Sequence, residues 1–326
     1  MDSIITSRHD ILILFDVTNG NPNGDPDAGN MPRIDPTSNK GLVSDVCLKR
    51  KIRNFVIDFC KDANSKPKAG QDVLIRQGTI IANEIQGAIK KASEPLDKKA
   101  SDREKAKAAV EWLCREFYDV RTFGGVLAVG KDVLQGSAFG QVRGPIQFTF
   151  ARSFDPITPL DISITRCTVT KPEDEKKERT MGNKHIVPYA LYAAKAYVSP
   201  VFAERTGFTE ADLDLFFEAL QHMFTHDQSS ARAEMTVRGI YDFEHVGTQN
   251  PNNAEQKKRE ARLGCYHAHK LFEGIKVSLK PDKTYPESFD DYKDNIVCTW
   301  TESNLPKGVV LHLRHEQPVT SIRFRS

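Results

Sequence analysis

The sequence predicts an α+β fold, a single elaborated domain carrying insertions, and three observations support that expectation. Ile11 to Val17 is a branched apolar run of strand length that stops at a loop dense in asparagine, glycine and proline, Asn19 to Asn30, and is followed by an amphipathic helix. The block 61–119 is helix-patterned, whereas beyond residue 120 short alternating runs between glycine-rich turns dominate. With 326 residues the chain can bury a large core.

The helix after the first loop is expected from Asp45 to Cys60. Ser44 is its expected N-cap, and Asp45 suits the positive end of the helix dipole. Leu48, Ile52, Phe55 and Phe59 share one stripe, the side expected to be buried. The other side carries Lys49, Arg50, Lys51 and Arg53, with no acidic residue between Val46 and Ile57. Lys49 and Arg53 stand one turn apart, a repulsion of about 0.2–0.5 kcal/mol in an isolated helix. Such a face reads as unpaired and suited to an anion, so replacing Lys49 and Arg53 together by alanine should leave stability intact.

Lys61 to Gly70, with Pro67, reads as a linker. Asp72 to Ala92 has helical spacing through Val73, Ile80, Ile81, Ile85 and Ile89, weakened by Gly78 and Gly87. Ser101-Asp102-Arg103-Glu104 is a capping box that opens a helix through Trp112 and Phe117. Val120 to Gly125 and Gly136 to Pro145 are glycine-rich loops holding Arg121 and Arg143; tight turns and close approach to a ligand explain the glycines equally well.

Ile146 to Phe150 and Ile162 to Val169 alternate as strands, and Pro188 to Val198 also reads as a strand. Lys171 to His185 is almost wholly polar and cannot bury itself, so it should project until a partner orders it. Pro200 opens a short helix ended by Gly207. Thr209 caps the next, which runs to about Phe224 with Leu213, Phe216, Phe217, Leu220 and Phe224 inward. Met235 to Phe243, Ile275 to Leu279, Ile296 to Trp300 and Val309 to Leu313 complete the expected strands, with Gln249 to Arg262 as a polar loop.

A formal charge of +2 excludes a strongly basic protein, so any nucleic-acid surface must come from local segregation of charge. Six scattered cysteines without a CxxC pair fit packed, reduced thiols better than a disulfide framework or a zinc site. A signal peptide and a bilayer-length apolar run are both missing, from which a soluble cytoplasmic protein is expected.

Enzyme motifs fail on inspection. Asp25-x-Asp27 begins like a calcium loop, but Gly29 and Pro36 stand where further oxygen ligands are needed. His222 and His226 lack the glutamate of HExxH, Met223 taking its place, and His312 and His315 lack cysteine partners. Ser137 sits one place too early for a nucleophile elbow. Asp16, Asp25, Asp27 and Asp35 keep a magnesium-dependent ribonuclease open as an alternative, although carboxylates that cap their own turn outweigh it. Neither a resident metal nor another cofactor is expected.

Asn19 to Pro26 followed by Val43 to Asn54 resembles the N-terminal signature of the CRISPR-associated "seven" family, the repeated backbone subunit of Cascade. Arg121-Thr122-Phe123-Gly124, Arg143-Gly144-Pro145, Arg179 to Tyr189 and His226 to Arg232 look like its subtype I-C and I-B branch, in order along most of the chain. Ala190 and Ala233 stand where the family often has glycine. The resemblance implies a modified RNA-recognition-motif (ferredoxin-like) palm over 1–60 and 120–326, a helical fingers insertion over 61–119 and a thumb hairpin over 170–187. It also implies a non-enzymatic subunit that polymerises along CRISPR RNA, each thumb folding over a neighbour's RNA and leaving bases to pair with target DNA beside other Cascade subunits.

By that resemblance Ser44, Lys49 and Arg53, with Arg50 and Asn23 adjacent, would contact RNA, followed by Arg121 and Arg143. Met181 would be a wedge between bases, with Lys184 and His185 near phosphates, or else Met181 anchors the loop to its own body. A monomeric RNA-binding module remains a third reading beside the filament subunit and the ribonuclease.

Overall fold

The computed structural model describes residues 3–97, 99–128, 132–165, 168, 181–248, 253–316 and 319–323. The strands are β1 (Arg8–Gly20), β2 (Gly24–Asp25), β3 (Met31–Pro32), β4 (Lys40–Val43), β5 (Gly124–Val126), β6 (Gln141–Arg143), β7 (Ile146–Phe148) and β8 (Ala151–Pro156). They continue with β9 (Leu160–Thr165), β10 (Met181–Val198), β11 (Glu234–His245), β12 (Ile275–Val277), β13 (Ile296–Cys298), β14 (Val309–Leu313) and β15 (Thr320–Arg323). The helices are α1 (Asp45–Phe59), α2 (Ile81–Ser93), α3 (Asp102–Glu116), α4 (Tyr118–Phe123), α5 (Pro200–Thr206), α6 (Glu210–His222), α7 (Ala254–Leu263) and α8 (Ala268–Glu273).

The expected mixture of helix and sheet is present, organised by a nine-stranded antiparallel sheet in the order β15-β14-β11-β1-β10-β8-β4, with β7 and β9 also paired to β10. β1 is central and buried on both faces, which is why it reads as a continuous apolar run and not as an alternation. Ile11, Ile13, Phe15 and Val17 face a core completed by α1, α5 and α6, where the Phe15 and Tyr192 rings stack at 5.4 Å. Leu12 and Leu14 face the opposite side, covered by α8 and the segment through Leu305. A separate cluster around Ile85, Leu113 and Phe117 holds the helical block together and extends to Leu127 and Leu134, past residue 119.

Several expectations change. The helix expected from Asp72 begins only at Ile81, because Gly78 adopts φ +80° and breaks the run. Phe59 is 57% exposed at the end of α1, beyond the core its stripe was expected to enter. The supposed loop Val120 to Gly125 is largely α4, which carries Arg121. α7 replaces the polar loop expected from Gln249, of which residues 249–252 lie outside the described residues. α7 buries only Ala261, so the apolar stripe that marks a helix is absent, and Asn253 caps it through the Gln256 N–H at 2.9 Å. The capping box at Ser101, the cap at Thr209 and the Gly207 stop are as expected, and Asp212 completes a box at Thr209 as well.

β10 runs on past its last rung with β1, Gly20 opposite Val187, and from Met181 to Ile186 it pairs with β9. The two form a hairpin stem that leaves the sheet by on the order of 20 Å. Every side chain of β9 is exposed. Most of the expected thumb, residues 170–180, lies outside the described residues. No helix among the described residues is long and apolar enough to cross a membrane.

A buried polar pair joins β1 to β11: His9 Nδ1 lies 2.9 Å from Asp242 Oδ1, and Arg314 reaches the other carboxylate oxygen at 3.0 Å. Burial alone would lower the His9 pKa, but the Asp242 charge and hydrogen bond outweigh it and raise it above the ordinary 6.5. A raised folded value means that the stabilisation is complete below the unfolded pKa and is lost as pH rises through the folded one. The melting temperature should therefore fall from about pH 6.5 upward, and His9→Asn should flatten that slope between about pH 6 and pH 9. Thermal melts of both proteins across that range check it; equal slopes would refute the assignment.

Candidate nucleic-acid interface

The loop after β1 is built by its own side chains. Asn19 and Asn30 sit in the left-handed region, at φ 48° and 66°, and Asn21 Nδ2 donates to the Asn30 carbonyl at 2.7 Å. Asn23 Oδ1 accepts both the N–H and the hydroxyl of Ser44, each at 2.9 Å. Ser44 has the extended backbone of an N-cap but makes no side-chain cap; its hydroxyl is turned to the loop instead. Asn23 thus fixes the loop to the start of α1, whose first-turn N–H groups receive no side-chain acceptor.

That end of α1 opens on a cleft of about 1010 Å³, lined by Ser44, Val46 and Cys47 together with Arg33, Arg50, Lys51, Arg76 and Arg232. Asp227 is the one carboxylate among the lining residues. Burial opposes its ionisation, but hydrogen bonds from Lys51 and Asn54 and the Lys51 charge hold its pKa below the usual carboxylate value. Arg76 also meets Asp72 at 3.0 Å, and Arg33 meets Asp25 at 3.5 Å. The cleft is cationic on balance and adjoins the positive end of a helix, two features that favour an oxyanion. Arg33, Arg76 and Arg232 were not anticipated, since nothing in their local pattern places them beside α1, and Asn54, on α1 itself, carries no charge to single it out.

The unpaired cationic face expected on α1 is not there. Lys49 Nζ meets Asp45 at 2.9 Å, and Lys51, 3% exposed, meets Asp227. Arg50 donates to the Ile75 carbonyl at 2.6 Å while still lining the cleft. Arg53 Nε meets Asp119 Oδ2 at 2.8 Å, and Asp119, 1% exposed, also accepts the N–H groups of Leu74 and Ile75 at 2.8 and 3.2 Å. Arg53 therefore holds α1 to α4, and losing it would strand a buried carboxylate, contrary to the expectation of unchanged stability. Distant acids in sequence supply most of the partners that a scan along the helix could not see.

Arg121 is buried as well. It forms a bidentate pair with Asp212, Nε to Oδ2 at 2.9 Å and Nη2 to Oδ1 at 2.7 Å, and donates to the carbonyls of Cys114 and Gly70, each at 2.7 Å. Its donors serve the fold, which corrects its expected contact with RNA. Arg143 is exposed on β6. The glycines around both arginines serve the backbone: a Cβ on Gly144 would lie 2.2 Å from the Phe123 carbonyl carbon, and Gly124 holds φ +70°. On the hairpin Met181 is 70% exposed, so it does not anchor the loop to its own body. Lys184 donates to the Ser230 carbonyl, and His185 Nδ1 lies 3.5 Å from Asp161.

Three of the four carboxylates considered for magnesium are engaged elsewhere. Asp16 holds Arg238 at 2.8 Å, Asp25 accepts the Asp27 N–H at 3.2 Å, and Asp35 closes its own turn on Thr37 and Ser38. Among the described residues no group of three His, Cys, Asp or Glu could hold a metal. Cys47, Cys60, Cys114, Cys265 and Cys298 are unbridged, and burial raises the thiol pKa of each, to about 11 for Cys114, which disfavours the reactive thiolate.

Sheet, helix and cleft together define an α+β protein that presents a cationic surface cleft suited to a polyanion. Residues 7–297 match the family CRISPR-associated protein Cas7. The chain belongs to that family. A curated relative, CRISPR-associated protein Cas7 of Haloferax volcanii, is 26% identical over 235 residues, which cover 67% of this chain and 66% of the relative, slightly under two thirds of its length. Similar solved chains come from "CRISPR RNA-guided surveillance complex, pre-nicking" (15% identity, TM-score 0.44, covering 75% of this chain and 80% of that one) and from "CRISPR RNA-guided surveillance complex" (15%, 0.40, 82% and 80%). A third comes from a Type III-B Cmr-beta complex bound to cognate target RNA (10%, 0.37, 72% and 60%).

Proposed function

We propose that this chain is a CRISPR RNA-binding backbone subunit of a type I Cascade of the I-C/I-B branch, non-enzymatic, polymerising along the guide and presenting its bases to target DNA. Membership of the family supports the class, and the cleft at the start of α1 is the observation that carries the RNA contact. It gathers Asn23, Ser44 and Arg50 of the expected set with Lys51, Arg33, Arg76 and Arg232. On this reading the sheet with α1 and α6 is the RNA-recognition-motif-like palm (1–60 and 120–326), 61–119 the fingers, and the β9–β10 hairpin the base of a thumb over 170–187. Phosphates would lie in the cleft, bound through charge and helix N–H groups whatever the sequence. Copies of the chain and further Cascade subunits would complete the complex.

A ribonuclease would need its carboxylates to converge on a metal, and Asp16, Asp25 and Asp35 are each engaged by partners of their own. The test is sizing of complexes formed with guide RNAs of increasing length, in the presence of magnesium. Mass should grow in proportion to RNA length, with the RNA intact. One chain per RNA at every length would support a monomeric module, and cleavage abolished by Asp25→Ala plus Asp27→Ala would support the nuclease.

A further inference from the structure

The sheet face turned away from α1 carries a second groove that the α1 cleft leaves unused. Side chains alternate across a strand, so Leu12 and Ala193 point opposite to Ile13 and Ala194, which belong to the core beneath α1. Leu12, Ala193, Phe272 and Ile275 floor a groove of about 540 Å³, and Lys40, Arg152, Lys195 and His269 stand around it with Phe150.

Phe150 is placed there by an irregularity in the ladder. Phe148 of β7 lies opposite Ala196 of β10, and Arg152 of β8 lies opposite Ala193, one residue more on the β7–β8 side than on β10. That is a β-bulge, a device that re-aims a side chain. Thr149 repairs the ladder: its N–H donates to the Lys195 carbonyl at 2.9 Å, and its hydroxyl accepts the Lys195 N–H at 3.2 Å. Phe150 is left 54% exposed, although it lies between two strands of the main sheet. The bulge thus holds an aromatic ring in solvent on a rigid support.

The charges around that ring are largely uncompensated. Arg152 shares Asp35 at 3.0 Å, whereas Lys40 and Lys195 meet no carboxylate within ion-pair distance among the described residues. Lys195 Nζ lies 5.3 Å from the Phe272 ring centre, and Glu273 is the one acid in the lining. An exposed ring flanked by cations on a groove floor is the recognition chemistry of a single nucleic-acid strand, with bases stacking and phosphates tracking the charges.

We propose that this groove binds a second single strand of nucleic acid, DNA set free when a duplex is opened, with one base stacked on Phe150 and phosphates on Lys40, Arg152 and Lys195. The source of that strand rests on the proposed function; the affinity for a single strand does not. The chain is first saturated with guide-length RNA, and binding of fluorescent oligothymidine is then followed by anisotropy. Wild type should bind it, Phe150→Ala and Phe150→Leu should each weaken it about tenfold because both lose stacking, and Phe150→Trp should retain it. Lys40→Gln with Lys195→Gln should weaken binding and make its salt dependence shallower. RNA loading should be unchanged in all four variants, and melting curves should match.

No oligothymidine binding by wild type overturns the proposal. So does full binding by Phe150→Leu, which would mark an apolar protein-docking surface, and so does lost RNA loading in these variants, which would put the groove on the path of the first strand. If wild type fails to load guide RNA, the proposed function fails instead. Oligothymidine binding is then measured on unloaded chain carrying Arg50→Gln and Arg232→Gln: Phe150-dependent binding there supports the groove, and its absence refutes it.

Discussion

Arg121→Ala is expected to destabilise the chain by about 3–5 kcal/mol, the usual cost of breaking a buried ion pair by removing one partner. The guanidinium is 7% exposed and ties α4 to α6 through Asp212, to α3 through Cys114 and Arg115, and to the chain at Gly70. Alanine would leave Asp212 with only its Thr209 cap interactions, and the three carbonyls without that donor. Arg121→Lys should recover little, because a single ammonium cannot reproduce the fork. Arg53→Ala should cost less, about 2 kcal/mol, because Asp119 keeps two backbone N–H donors. Chemical denaturation of the three variants checks the order; a loss under about 1 kcal/mol for Arg121→Ala would remove the structural assignment and return the residue to the candidates for RNA contact.

The second large effect is on binding. Replacing Arg33, Arg50 and Arg232 together by glutamine removes three cations of the cleft while keeping polar side chains of similar reach. If each neutralises one phosphate, the slope of log affinity against log salt should become shallower by about 2, at roughly 0.7 per single-strand phosphate, and affinity near physiological salt should fall on the order of 100-fold. Unrelated guide sequences should lose alike, because phosphate contacts carry no base information. Lys49→Ala is the control: its ammonium lies on Asp45 and outside the cleft lining, so the slope should not change. RNA titrations at several salt concentrations decide it, and an unchanged slope in the triple variant would place the RNA elsewhere.

How much of this was legible in the sequence differs between fold and site. β1, α1, α3, α5 and α6 were readable because their signals are local: a branched run, a stripe, a capping box, a threonine cap and a helix-ending glycine. α7 was hidden because its support is the intrinsic propensity of alanine, glutamate, lysine and arginine, with almost no buried stripe. In the site, the loop and the helix were visible, but the pairing of their charges was not. The acids that neutralise Lys51 and Arg53 are Asp227 and Asp119, far along the chain, so a helix with no acidic residue between Val46 and Ile57 looked unpaired while its cations were not. The arginines that line the cleft beside Arg50 of α1 come from the residue after β3, the start of the helical block and the segment after α6, and only the fold brings them together.

The continuity of β10 has a mechanical consequence. The strand that forms one arm of the hairpin is the same strand that lies beside β1 in the middle of the sheet, from Val187 to Val198. A pull on the hairpin along its axis is therefore carried without a joint into the centre of the protein, where it loads the antiparallel rungs with β1 in parallel and not one after another. Peeling would have to begin at Val187 opposite Gly20, beside the carbonyl of Ala231, which holds the Asn21 N–H at 2.7 Å. The hairpin is thus a lever rooted in the sheet, and tension along it reaches the loop that positions Asn23 through that root and the segment of Arg232 through the Lys184 contact with Ser230.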